Sequence, residues 1–144
     1  MYKFGEKSQA RFDTLHEDLQ KILNEALKIY DFSIIEGHRT LEIQQSYFDR
    51  GLSKLDGINN KSKHQSYPSM AVDIMPYKKG TNAFSGQEKD NRRFYFLMGI
   101  ISAITERLYQ EKEITHKVRF GIDWDMDDIY TDQSFDDMPH IELI

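Results

Sequence analysis

The chain has 144 residues and no cysteine, which excludes a disulfide framework, a thiolate metal site and a cysteine nucleophile and leaves histidine and carboxylate as available metal ligands. Its length suits one domain with a real core, and 39% apolar against 30% charged residues is the balance of a folded chain rather than a disordered one. A net charge of -5 with scattered basic residues argues against a nucleic-acid partner, and no run approaches the ~18 apolar residues that span a bilayer.

Phe12, Leu15, Leu19, Ile22, Leu23 and Ala26 recur at spacings of three and four, which predicts a helix ending near Tyr30. Thr14 with Glu17 fits a capping box, so the helix is expected to start there, with Ser8 to Asp13 as a preceding turn. Residues 32–37 read as a short strand stopped by Gly37, whose end delivers His38 and Arg39. Thr40 to Arg50 is a second helix, with Gly51 placed as its C-terminal cap. Leu52 to Pro68 has little periodicity and reads as a polar loop containing His64.

Residues 70–75 form a compact apolar run interrupted by Asp73 and closed by Pro76, which predicts a buried strand. Phe94, Leu97, Met98, Ile101, Ile104 and Leu108 mark a third helix of about 18 residues. Val118 to Gly121 is a further strand, Asp123 to Asp137 an acidic loop, and His140 to Ile144 a closing strand. This order predicts an α+β domain of about three helices on a small, mainly antiparallel sheet. The whole chain, 1–144, is expected to be one domain, with no separate second one.

A carboxylate inside an apolar strand is expensive unless it is hydrogen-bonded, paired or bound to a metal. Taken alone, Asp73 fits partners from the backbone or an arginine at least as well as a metal. Two histidines and one carboxylate nevertheless make a common catalytic zinc set with a fourth position left for water, and His64 and His140 are available to complete it. Asp123, Asp125 and Asp127 echo the opening of a calcium loop, but Asp128 and Ser134 stand where its glycine and closing glutamate belong, so a solvated acidic loop is the expectation.

Ser62-Lys-His-Gln65, Ala71-Val-Asp-Ile74 and Asp137-Met-Pro-His-Ile-Glu142 together resemble the zinc peptidases that include phage L-alanyl-D-glutamate endolysins, D-Ala-D-Ala carboxypeptidases and D-Ala-D-Ala dipeptidases. The resemblance extends to Ser8–Arg11, Glu36-Gly-His-Arg-Thr40, the Gln44-Gln45 helix and Arg119-Phe-Gly-Ile-Asp-Trp124, and so covers nearly the whole chain. It implies a single Zn2+ held by His64, Asp73 and His140, with Asp137 as general acid–base and Arg39 stabilising the oxyanion. Asp136 is the alternative base, and a surface ion pair the alternative role for Arg39. Ser62 and Glu142 are expected to support a ligand or touch substrate.

The chain departs from the family pattern in two places. His64 and Asp73 are nine positions apart, two more than is usual in that family, and residues 66–70 fill the gap, so substrate contacts near Tyr67 are expected to differ. Ile122 stands in place of a second glycine after Gly121.

Glu36-Gly-His-Arg-Thr40 and the terminal motif look most like the phage enzymes, which implies hydrolysis of the L-alanyl-D-glutamate bond of bacterial peptidoglycan. A monomer is expected, made in the host cytoplasm because no secretory signal opens the chain, and reaching the wall after holin-type release. D-Ala-D-Ala carboxypeptidase or dipeptidase activity is the alternative bond. A non-catalytic, metal-stabilised phage structural or wall-binding module is the alternative of another class.

Overall fold

The computed structural model describes residues 1–144. Four helices lie against one four-stranded sheet: α1 (Glu6–Phe12), α2 (Glu17–Leu27), α3 (Leu41–Asp49) and α4 (Glu88–Gln110) with β1 (Phe32–Glu36), β2 (Ala71–Pro76), β3 (Val118–Phe120) and β4 (His140–Leu143). The strand order is β1-β2-β4-β3, and every neighbouring pair is antiparallel. This is the expected α+β class, with one helix more than the periodicity predicts. No helix is long and apolar enough to cross a membrane.

The additional helix is α1, where a turn was expected. It turns only Ser8 and Phe12 inward, too few apolar positions to produce a helical period. Thr14 does not cap α2 either. Its hydroxyl donates to the Arg11 carbonyl and accepts from the His38 amide, so it ties α1 to the end of β1. The cap falls to His16, whose Nδ1 accepts from the Asp18 amide. At the other end of the chain, α4 runs 23 residues, starting six before Phe94 through a polar, exposed first turn.

The sheet has two chemically different faces because side chains alternate along each strand. Ile34, Val72, Ile74, Val118, Ile141 and Leu143 point into a core completed by α2 and α4, with Leu19, Ile22, Leu23, Leu97 and Ile101 fully buried. The other face carries Asp73, Arg119, His140 and Glu142, so a carboxylate can sit between buried aliphatic neighbours without entering the core. A register shift between Ile34 and Glu36 brings Glu36 opposite Asp73, onto the polar face, although its parity along β1 is that of the core residues.

Candidate active site

Strand register brings the first donors together. Asp73 on β2 is paired with His140 on β4, and His140 Nδ1 lies 3.0 Å from Asp73 Oδ1. His64 comes from a short 3-10 turn, Lys63–Gln65, that follows a polar loop. Ser62 starts this turn with a reciprocal capping box: its hydroxyl accepts from the His64 amide, and the Gln65 side chain accepts from the Ser62 amide. The turn places His64 Nε2 3.3 Å from the same Asp73 oxygen.

Each imidazole has an outer partner that decides which nitrogen faces inward. His64 Nδ1 donates to the Gly37 carbonyl at 2.8 Å, which leaves the Nε2 lone pair for the centre. His140 Nε2 meets Glu142 Oε1 at 2.9 Å, which leaves Nδ1. The other Glu142 oxygen accepts from Arg119 Nη2 at 2.9 Å. One donor atom from each of His64, Asp73 and His140 therefore lies within 4.8 Å of the others, in a pocket where both histidines are buried. Two imidazoles and one carboxylate, preset in tautomer, fit a tetrahedral ion with one position left over.

The ionisation of this cluster follows from its partners. Burial pushes the Asp73 carboxyl up, but the close approach of the His140 and His64 imidazoles outweighs it and holds Asp73 well below the usual carboxylate range. Burial opposes the His140 imidazolium, yet the bonds to Asp73 and Glu142 push His140 up to about 9. Glu142 is lowered because His140 and Arg119 outweigh its own burial.

Asp137 sits at the entrance to β4, in a tight turn closed by the His140 amide donating to the Asp137 carbonyl at 3.1 Å. Gly121 fastens this turn from β3, donating to the His140 carbonyl and accepting from the Asp137 amide, both at 2.9 Å. Burial raises the Asp137 carboxyl and the nearby Asp73 charge raises it further, against the opposing fields of His140, His64 and Arg39. Asp137 lines the cleft. Asp136 does not; it is exposed and accepts from Gln133.

The cleft has a volume of about 630 Å³. Arg39, Tyr47, residues 51–55, Trp124 and Phe135 are among the residues that line it. Arg39 is 8% exposed; Nε and Nη2 grip both oxygens of Glu36, and Nη1 donates to Gln44 Oε1 at 2.7 Å. Its guanidinium also covers the Tyr47 ring, 4.7 Å from the centroid. Trp124 packs on His140 with ring centroids 5.3 Å apart.

Comparison with known proteins decides the family. The model of the phage L-alanyl-D-glutamate peptidase family matches residues 1–144. The chain belongs to this family. It is 32% identical over 149 residues to the L-alanyl-D-glutamate peptidase of Escherichia phage T5, an alignment covering 99% of this chain and 98% of that one. It shares its fold with the solved L-Ala D-Glu endopeptidase ChiX of Serratia marcescens, with a TM-score of 0.69 and 19% identity over 99% of this chain and 90% of that one.

In this member of the phage peptidase family, the structure gathers His64, Asp73, His140, Asp137, Arg39, Ser62 and Glu142 around one cleft. Arg39 lines the cleft and is paired with Glu36, in a largely buried ion pair rather than the surface pair given as the alternative. Glu36, the Gly37 carbonyl, Gln44, Arg119 and Trp124 also build the site and were not singled out for it from sequence. Arg119 had one readable signal, its place opposite Glu142 if the last two strands pair.

The segment 66–70 contributes nothing to the cleft wall. Ser69 bonds through its backbone to Thr14 and His16, and the exposed Tyr67 packs edge-on against His38 at 5.3 Å. Tyr67 therefore lies outside the residues that line the cleft. Ile122, where a second glycine is usual, fills part of the core. In the exposed acidic loop, the Asp123 carboxylate accepts from the Asp127 and Asp128 amides.

Proposed function

We propose that the protein is a zinc metallopeptidase that hydrolyses the L-alanyl-D-glutamate bond of the peptidoglycan stem peptide. The observation that carries this reading is the convergence of His64 Nε2, Asp73 Oδ1 and His140 Nδ1 beside the carboxyl of Asp137. Family membership and the printed activities of the relatives from phage T5 and Serratia marcescens support the choice of bond.

His64, Asp73 and His140 would hold the ion, which supplies Lewis acidity and brings the ionisation of water into the range of pH ~7. Asp137 takes the proton of the attacking water, and its raised carboxyl suits it to hold that proton between two steps. When the carbon–nitrogen bond breaks, the same proton passes to the departing amine of D-glutamate. Arg39 is always cationic, and three of its five N–H groups are committed to Glu36 and Gln44. It is thereby held rigidly in the cleft wall, where its charge favours negative charge developing on the scissile carbonyl oxygen. Glu142 and Ser62 position His140 and His64 rather than meeting substrate.

The reading is tested by incubating zinc-loaded protein with purified peptidoglycan and identifying new amino termini by mass spectrometry. New D-glutamyl termini are expected. Free D-alanine or its dipeptide would move the activity to the D-Ala-D-Ala bond, and absence of any product would favour a non-catalytic module.

A further inference from the structure

A second His-Asp-His cluster lies outside the cleft. His16 caps α2, Asp18 occupies the first turn of that helix, and His116 belongs to the segment leading from α4 into β3. One donor atom from each lies within 4.8 Å of the others. We propose that these three side chains form a second, weaker site for a divalent transition metal such as Zn2+, which clamps the start of α2 to the segment preceding β3.

The cluster reproduces the local geometry of the first site. Here the histidine Nδ1 lies 2.8 Å from the carboxylate oxygen, against 3.0 Å for His140 and Asp73. The two imidazole rings meet edge-on at 4.9 Å and 79°, against 5.2 Å and 62° for His64 and His140. Asp18 is 3% exposed, and every hydrogen bond it accepts, from Thr115 and His116, falls on Oδ2. Its Oδ1 has no protein partner. A buried carboxylate with one unused oxygen between two imidazoles is a donor set that suits zinc, cobalt, nickel or copper.

Two features make this site weaker than the first. The positive end of the α2 dipole opposes a cation, an effect that Asp18 offsets. His16 Nδ1 also accepts from the Asp18 amide, and an imidazole that binds metal through either nitrogen can no longer accept there, so occupancy gives up the helix cap. Both histidines are half-exposed, so an ion can reach them without opening the fold.

Equilibrium dialysis of the full chain against Zn2+ is expected to give two ions per chain, the second at higher free zinc. His16→Ser, which keeps a good capping side chain, and His116→Ala should each bind one. His64→Ala should retain one, so that loss of the first site and of the second are read separately. In amide NMR, the second equivalent should move the Asp18 cross-peak and the ring signals of His16 and His116. Saturation of the wild type at one ion, a second ion retained by both His16→Ser and His116→Ala, or an unmoved Asp18 amide would each overturn the proposal. Melting of the metal-free variants establishes that they are folded.

Discussion

A β-carbon added to Gly121 would lie 2.2 Å from the carbonyl oxygen of Asp137 and 2.9 Å from its Cβ. The absence of a side chain at 121 is therefore what lets β3 approach the turn that carries both Asp137 and His140. Gly121→Ala must push that turn outward, and a displacement of ~1 Å at a reacting group costs about 10²-fold in rate. We expect kcat for peptidoglycan cleavage to fall by roughly that factor, and stability to fall by about 1–3 kcal/mol for the overpacking. Wild-type turnover in a folded Gly121→Ala protein would show that the turn tolerates the shift.

Asp137 and His140 share one turn yet should fail differently when removed. Asp137→Ala takes away the proposed proton carrier while leaving the His64, Asp73 and His140 donors in place, so turnover should drop by about 10²–10⁴ with one zinc still bound in the cleft. His140→Ala removes a donor and strands Glu142 beside Arg119, so zinc and turnover should be lost together. Metal analysis on the purified variants, alongside the peptidoglycan assay, separates the two. Undiminished cleavage by Asp137→Ala would remove it as the base.

The sheet, the polar loop and the closing strand were legible in the sequence because each has a periodicity or a breaker of its own. Asp73 stood out for the same reason, as the one charge in the apolar run of β2. What brings it to His64 and His140 was not legible. The Asp73–His140 contact depends on the register of strands 67 residues apart, and the Asp73–His64 contact on a 3-10 turn whose capping box, Ser62 with Gln65, is easily lost in a polar stretch. Glu36 was invisible as a site residue because a register shift re-aims it, and strand parity alone assigns it to the core. Thr14 matched a capping box by pattern, but its hydroxyl is engaged by Arg11 and His38, so a tertiary contact displaced a local one. The family resemblance supplied the grouping that spacing could not.

Glu142 bridges His140 and Arg119, and the bridge holds His140 Nδ1 toward Asp73. Glu142→Gln keeps the shape, but its amide cannot accept at both ends, and Arg119 Nε is already buried without a partner. Loss of such an outer bond typically weakens metal binding by about 10–100-fold. Competition with a chelator should show that loss, accompanied by a smaller effect on turnover once zinc is saturating. Unchanged zinc affinity would reduce Glu142 to a partner of Arg119 alone.

The part of the cleft lining formed by residues 51–55 adjoins a loop organised by Asp56. Its Oδ1 accepts from the Ile58, Asn59 and Asn60 amides, each at 2.9 Å, and folds the loop that Gln44 and Gln65 tie down through the Leu55 and Gly57 carbonyls. The Asn60 and Ile58 amides, foremost, hold the Asp56 carboxyl below its ordinary value. A carboxyl depressed in the folded state stabilises that state above its ordinary value and ceases to as the pH falls through the depressed one. The loop should therefore be fully ordered near neutrality, and protection of the Ile58, Asn59 and Asn60 amides should fade only below the ordinary carboxylate range. In Asp56→Asn the side-chain oxygen still accepts but does not titrate, so the loop should be somewhat looser at neutral pH and show no further acid-dependent step. Because residues 51–55 line the cleft and Asp56 touches no reacting group, Asp56→Ala should raise KM severalfold with little change in kcat. A fall in kcat at unchanged KM would mean that this loop acts on the chemistry and not on substrate binding.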